Sequence, residues 1–147
     1  MSTTYTTTST RPGFPLGSLF VPFPFVSFTL ALLTDIAYWQ TSHLMWQNFS
    51  AWLLLAGLIG GALGLLGGAI DMLRRSTRMA GPGFAAAIGY LVVLALGTLN
   101  SFIHAGDGWT AVVPNGLVVS AITVAMILIT ILLAARHRSR VIWSVER

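Results

Sequence analysis

The chain has 147 residues, of which 55% are hydrophobic and only 8% charged, and its mean hydropathy is +0.80. A soluble domain carries charge on about a quarter of its residues, so the composition excludes one and predicts an integral membrane protein. The formal charge of +4 comes from eight arginines set in short runs between apolar segments, a pattern of membrane orientation that excludes a nucleic-acid groove, while the lack of cysteine excludes disulfides, thiolate catalysis and iron–sulfur clusters.

Residues 1–13, MSTTYTTTSTRPG, are rich in threonine and serine and read as a disordered N-terminal tail. They lack the basic start and small-residue cleavage site of a signal peptide, so the first span is expected to remain. A four-helix transmembrane domain over 14–136 and a basic tail over 137–147 complete the expected organisation.

Four apolar segments follow the tail: Leu16–Trp39, Phe49–Leu73, Gly83–His104 and Val112–Ala135. Each is close to the ~20 residues a helix needs to cross a hydrocarbon core about 30 Å thick. The connectors are short, and in lipid only closed hydrogen-bonded structures survive. The predicted fold is therefore all-α, an antiparallel bundle of four transmembrane helices.

The first span is the irregular one, because Pro15, Pro22 and Pro24 crowd its start. Proline inside a helix removes a hydrogen bond and clashes with the preceding turn. Either the helix kinks there, or it begins at Pro24 behind an irregular segment. A start at Pro24 gives a helix of roughly 24 Å at about 1.5 Å per residue, short of a full crossing. PLGSLFVPF then reads as a shallow lead-in packed against protein.

Orientation follows from the arginines. Arg74, Arg75 and Arg78 lie between spans two and three, and Arg136, Arg138 and Arg140 follow span four. The other connectors, QTSHLMWQN and AGDGWTA, hold no Lys or Arg. The positive-inside rule places both termini and the middle connector in the cytoplasm. Trp39, Trp46, Trp52 and Trp109 all fall at the opposite boundary, as an aromatic belt would.

Span two contains AGLIGGALGLLGGAIDMLRR. Its glycines, Gly57, Gly60, Gly61, Gly64, Gly67 and Gly68, fall within about a third of the helix circumference at ~100° per residue. Small residues four apart let two backbones approach closely in lipid. A phosphate loop would instead need a lysine after a strand, and the chain has none, so the run predicts a helix-packing stripe. Matching faces occur on the other spans. Ser27, Ala31, Asp35 and Tyr38 mark span one; Ala86, Gly89, Val93, Gly97, Asn100 and His104 mark span three. Gly116, Ser120, Thr123, Ile127 and Thr130 mark span four.

By depth the polar groups form two layers. The outer-side cluster is Asp35, Asn100, His104 and Ser120; the cytoplasmic ion-pair layer is Asp71 with Arg74 and Arg75, and Arg136 lies near it. An ionisable group inside a membrane helix is costly and usually faces protein or water. Asp35 therefore reads in two ways: as a proton- or ligand-handling carboxylate beside Asn100 or His104, or as a tie between helices. Asp71 reads as an ion pair at the helix end.

His104 with Asp107, and His43, were they to converge, would offer imidazole and carboxylate to a metal; two histidines in outer connectors carry this weakly, and no metal is expected. A bis-His haem needs a second histidine inside the bundle, and none exists. No catalytic motif is present, so no enzymatic activity is expected.

Several stretches resemble a family of small bacterial membrane proteins, Domain of Unknown Function 2231. They are FPFVSFTLALLTDIAYW, AWLLLAGLIGGALGLLGGAIDML, the LN at 99–100 and DGWTAVVPNGLVVSAI. The resemblance covers about Phe23 to Thr130. It implies a multi-pass protein of the bacterial inner membrane and carries Asp35, Asp71, Asn100 and Ser120 over as family positions, without an activity. Members often have a histidine just before the FP, where this chain has Pro22, and the family's glycine-rich ending is replaced by ARHRSRVIWSVER.

The expected function is a non-catalytic membrane subunit or anchor of a larger complex, a redox complex among them. Its partners would be the lipid bilayer and other subunits or a second copy, with no nucleic acid and no cofactor. The alternatives are an electron-transfer protein associated with quinone or haem through the outer cluster, and a small proton-linked transporter. Against the last, no inverted repeat or broken-helix pair is visible.

Overall fold

A computed structural model of the chain describes residues 15–74, 83–106 and 112–145, the stretch 138–145 as backbone only. Every regular element in it is helical: α1 (Leu16–Phe20), α2 (Pro22–Thr41), α3 (Leu44–Leu73), α4 (Phe84–His104) and α5 (Asn115–Val145). Four stretches are long and apolar enough to cross a membrane: Leu16–Thr41, Leu44–Leu73, Phe84–His104 and Asn115–His137.

The proline-rich start is helical on both sides of Val21. Residues 16–20 form a helical turn, Val21 keeps helical dihedrals, and its amide donates to the Gly17 carbonyl at 3.2 Å. Pro22 and Pro24 fall in the first turn of α2, where amide hydrogens have no intrahelical acceptor, so the prolines cost nothing there. The helix thus begins two residues before Pro24, and PLGSLFVPF is more regular than an unstructured lead-in. α2 ends where Ser42 turns left-handed (φ 55°) and donates its amide to Tyr38 O at 2.7 Å.

Two other boundaries differ from the apolar runs. α3 starts at Leu44, five residues ahead of Phe49, and α5 continues past Ala135 to Val145. Hydropathy marks where a segment becomes apolar; a helix continues beyond that point whenever propensity and hydrogen bonding allow. Residues 137–145, read as a tail, therefore prolong α5.

α2 packs on α3, α3 on α4, α4 on α5 and α5 on α2, which closes a ring; α1 lies against α3. The centre holds Phe28, Ala31, Leu54, Tyr90, Val93, Leu94 and Ile127. In lipid this packing gains nothing from expelling water between helices, so close backbone approach must supply the attraction. Glycines make that approach possible. The Phe28 ring lies between Gly57 and Gly97, touching the place a Cβ would occupy on either. Gly60 faces Phe23, Gly61 faces Leu94 and Gly64 faces the Tyr90 hydroxyl.

At the end of α3 the contact is backbone on backbone. A Cβ on Gly17 would lie 2.7 Å from Gly68 N, and one on Gly67 would lie 2.9 Å from Gly17 Cα. Gly68 itself points its missing side chain into open space. The outward faces carry Leu55, Ile59, Leu66, Phe102, Val118 and Leu132, all exposed.

Candidate functional site

Four helices meet at the Asp35 carboxylate. Asp35 lies on α2 one helical step beyond Ala31, and the inward face it shares with Ser27, Phe28, Ala31 and Tyr38 leaves it fully buried. A carboxylate has about four lone-pair sites to satisfy, and neighbouring helices supply the hydrogens. Ser50 Oγ on α3 donates to Oδ1 at 2.5 Å, and Ser120 Oγ on α5 donates to Oδ2 at 2.5 Å. His104 Nε2 on α4 lies 2.9 Å from Oδ1.

A second ring of contacts orients these donors. Asn100 Nδ2 donates to Ser120 Oγ at 2.7 Å, which leaves the Ser120 hydrogen for Asp35. His104 Nδ1 lies 3.0 Å from Asn100 O, one turn back on α4, and this holds the ring edge-on to Asp35. Thr34 Oγ1 lies 2.7 Å from Ser50 Oγ and donates to the Ala31 carbonyl at 2.9 Å. Among the described residues, Asn100 Oδ1 and Ser101 Oγ are buried polar atoms with no hydrogen-bond partner. An isolated charge at such a site would be costly, and paired and hydrogen-bonded it is tolerated.

The structure therefore brings Asp35, Asn100, His104 and Ser120 into one network. Ser50, absent from the sequence reading, is its fifth member and is fully buried. A signal for it existed: Ser50, Leu54, Gly57, Gly61 and Gly64 follow the same three- and four-residue steps, so the glycine face of span two extends back to Ser50. His43 lies exposed in the connector between α2 and α3, and Asp107 is outside the described residues. Among the described residues no three His, Asp or Glu side chains converge.

Asp71 occupies the other end of α3 and is buried. Its Oδ1 accepts the Leu16 amide at 3.0 Å and its Oδ2 accepts the Gly17 amide at 2.7 Å. The carboxylate thus caps α1, giving acceptors to orphan amides at a helix start. An acid read from sequence as an ion-pair member also works as an anchor for backbone, and nothing in the side chains of Leu16 or Gly17 announces this. Arg74 follows directly as the C-cap of α3, and Arg75 and Arg78 lie outside the described residues.

Two shallow apolar grooves mark the surface. Phe20, Phe23, Ile59, Gly60 and Leu63 line one, and the other runs between α2 and α5 past Phe25, Thr29, Ile127 and Ile131. Neither is lined by a member of the Asp35 network.

No curated protein and no solved structure matches the chain. Over residues 13–142 it matches the family described as predicted membrane protein (DUF2231). With the match running from the foot of α1 into the last turns of α5, and with four apolar helices between, the chain belongs to the Domain of Unknown Function 2231 family of predicted membrane proteins.

Proposed function

We propose that this protein is a non-catalytic membrane subunit that anchors a partner in a larger complex, with four antiparallel spans in the bacterial inner membrane and both termini cytoplasmic. The observation that carries the reading is the Asp35 junction. Its acceptors are engaged by three other helices, which ties the spans into one unit and leaves apolar side chains on the outside. The arginines after α3 and in the last turns of α5 support the orientation. The gathering of Asp35, near the end of α2, with Ser50, near the start of α3, supports the antiparallel arrangement of these two spans.

Purification in a mild detergent tests the proposal. The expected result is a stoichiometric partner chain by mass spectrometry and no Soret band in the visible spectrum. A Soret band, or a chain that purifies alone from every extract, overturns it.

A second reading is favoured by the burial of an ionisable pair within the spans, which often marks function. In it, Asp35, Asn100, His104 and Ser120 serve a quinone- or haem-associated electron-transfer protein. An Asp35→Asn variant that assembles normally yet loses quinone reactivity would favour this second reading.

A further inference from the structure

The contact between Asp35 and His104 sets a proton count. His104 Nδ1 lies 3.0 Å from a main-chain oxygen, which can only accept, so Nδ1 carries a hydrogen. Nε2 lies 2.9 Å from Asp35 Oδ1. A bare nitrogen lone pair facing a bare carboxylate oxygen at that distance is repulsive, so one hydrogen occupies the gap, bonded to either atom.

The remaining contacts leave no place for a second. Ser50 and Ser120 already point hydrogens at Oδ1 and Oδ2, and the Ser120 hydrogen is committed there because Ser120 Oγ accepts from Asn100 Nδ2. Of the helices packed around Asp35, α4 contributes the titratable His104, and α3 and α5 contribute the hydroxyls of Ser50 and Ser120. On α2 itself the nearest titratable neighbour in sequence is Tyr38, also buried. With one proton in the gap, Asp35 and His104 together carry no net charge, whichever atom holds it. With none, the junction buries an uncompensated negative charge, which is strongly destabilising.

We propose that Asp35 and His104 form a proton-binding site of fixed occupancy, holding one proton between α2 and α4, and that this proton keeps the four-helix junction closed. The inference rests on donors and acceptors alone and stands apart from the anchor reading.

The test compares the full-length protein with His104→Gln and Asp35→Asn in detergent, by thermal unfolding from about pH 5 to pH 8, the span in which an ordinary histidine titrates. Glutamine offers Asp35 an N–H but no titratable proton, so a junction without net charge requires the carboxylate to take one up as the variant folds. Such a group stabilises the fold at low pH and loses that contribution as pH rises, by up to roughly tenfold in the folded-to-unfolded ratio per pH unit. The gap between His104→Gln and the parent is therefore expected to widen from pH 5 to about 6.5, the ordinary histidine value, and to stay constant above it, where the parent also takes up one proton on folding. Asparagine keeps an uncharged N–H facing Nε2 and leaves His104 neutral in the folded variant, so the gap between the parent and Asp35→Asn is expected to narrow steadily from about pH 5 to pH 8.

A gap for His104→Gln that keeps widening up to pH 8, or one for Asp35→Asn that fails to narrow above about pH 6.5, overturns the proposal. Nitrogen-15 NMR of the unaltered protein decides independently of whether the variants fold. The Nδ1 and Nε2 shifts of His104 are expected to stay constant throughout the range, and a titration step in either within that range overturns the proposal.

Discussion

Asp35 and Asp71 are held at opposite ends of one helix, α3, by different kinds of partner. From Ser50, which donates to the first, to Asp71 itself, the helix rises roughly 32 Å at about 1.5 Å per residue, close to the thickness of a bilayer's hydrocarbon core. Asp35 is satisfied by side chains from three helices. Asp71 accepts two amides from a five-residue turn. A junction of side chains depends on residue identity at every contributing position. A junction with backbone depends on the path of the chain, and any residue that permits the path will serve.

That contrast can be broken by substitution. Asp35→Leu removes the acceptor from Ser50, Ser120 and His104 at once, and breaking a buried pair in this way is expected to cost about 3–5 kcal/mol. Loss of a folded, monodisperse species in detergent is the expected readout. Asp71→Asn keeps one acceptor oxygen and so strands a single amide, at about 1–3 kcal/mol. Hydrogen exchange should quicken at Leu16 and Gly17 while α4 and α5 keep their protection. Equal losses for the two aspartate variants would erase the distinction.

The smallest effect is expected for Ser50→Ala, about 1 kcal/mol, because Oδ1 keeps its contact with His104. A shift in thermal midpoint as large as that of Asp35→Leu would mean that Ser50 holds the junction together and His104 does not.

The sequence was most informative where helical periodicity expresses itself in side chains. Asn100 and His104 fall one turn apart on the small-residue face of span three, and Ser120 and Thr123 begin the polar face of span four; all four are buried. The four apolar segments are legible for a related reason, since a bilayer demands long uncharged runs. Helix ends are less legible: LMWQN lies in a stretch that reads as a connector, and it opens α3. Least legible is the docking of α1. Its partner atoms are the amides of Leu16 and Gly17 and the bare backbone of Gly67 and Gly68, and backbone has no letter in a sequence.

The Phe28 ring, seated between Gly57 and Gly97, makes three positions on three helices mutually dependent in the way they can vary. A methyl group added at Gly57 alone collides with the ring, and so does one added at Gly97 alone. Reducing Phe28 to a smaller residue removes both collisions but leaves a void if the glycines stay as they are. The tolerated route from this packing to another therefore begins at Phe28 and passes through a less stable intermediate. The three residues form one packing unit spread across α2, α3 and α4.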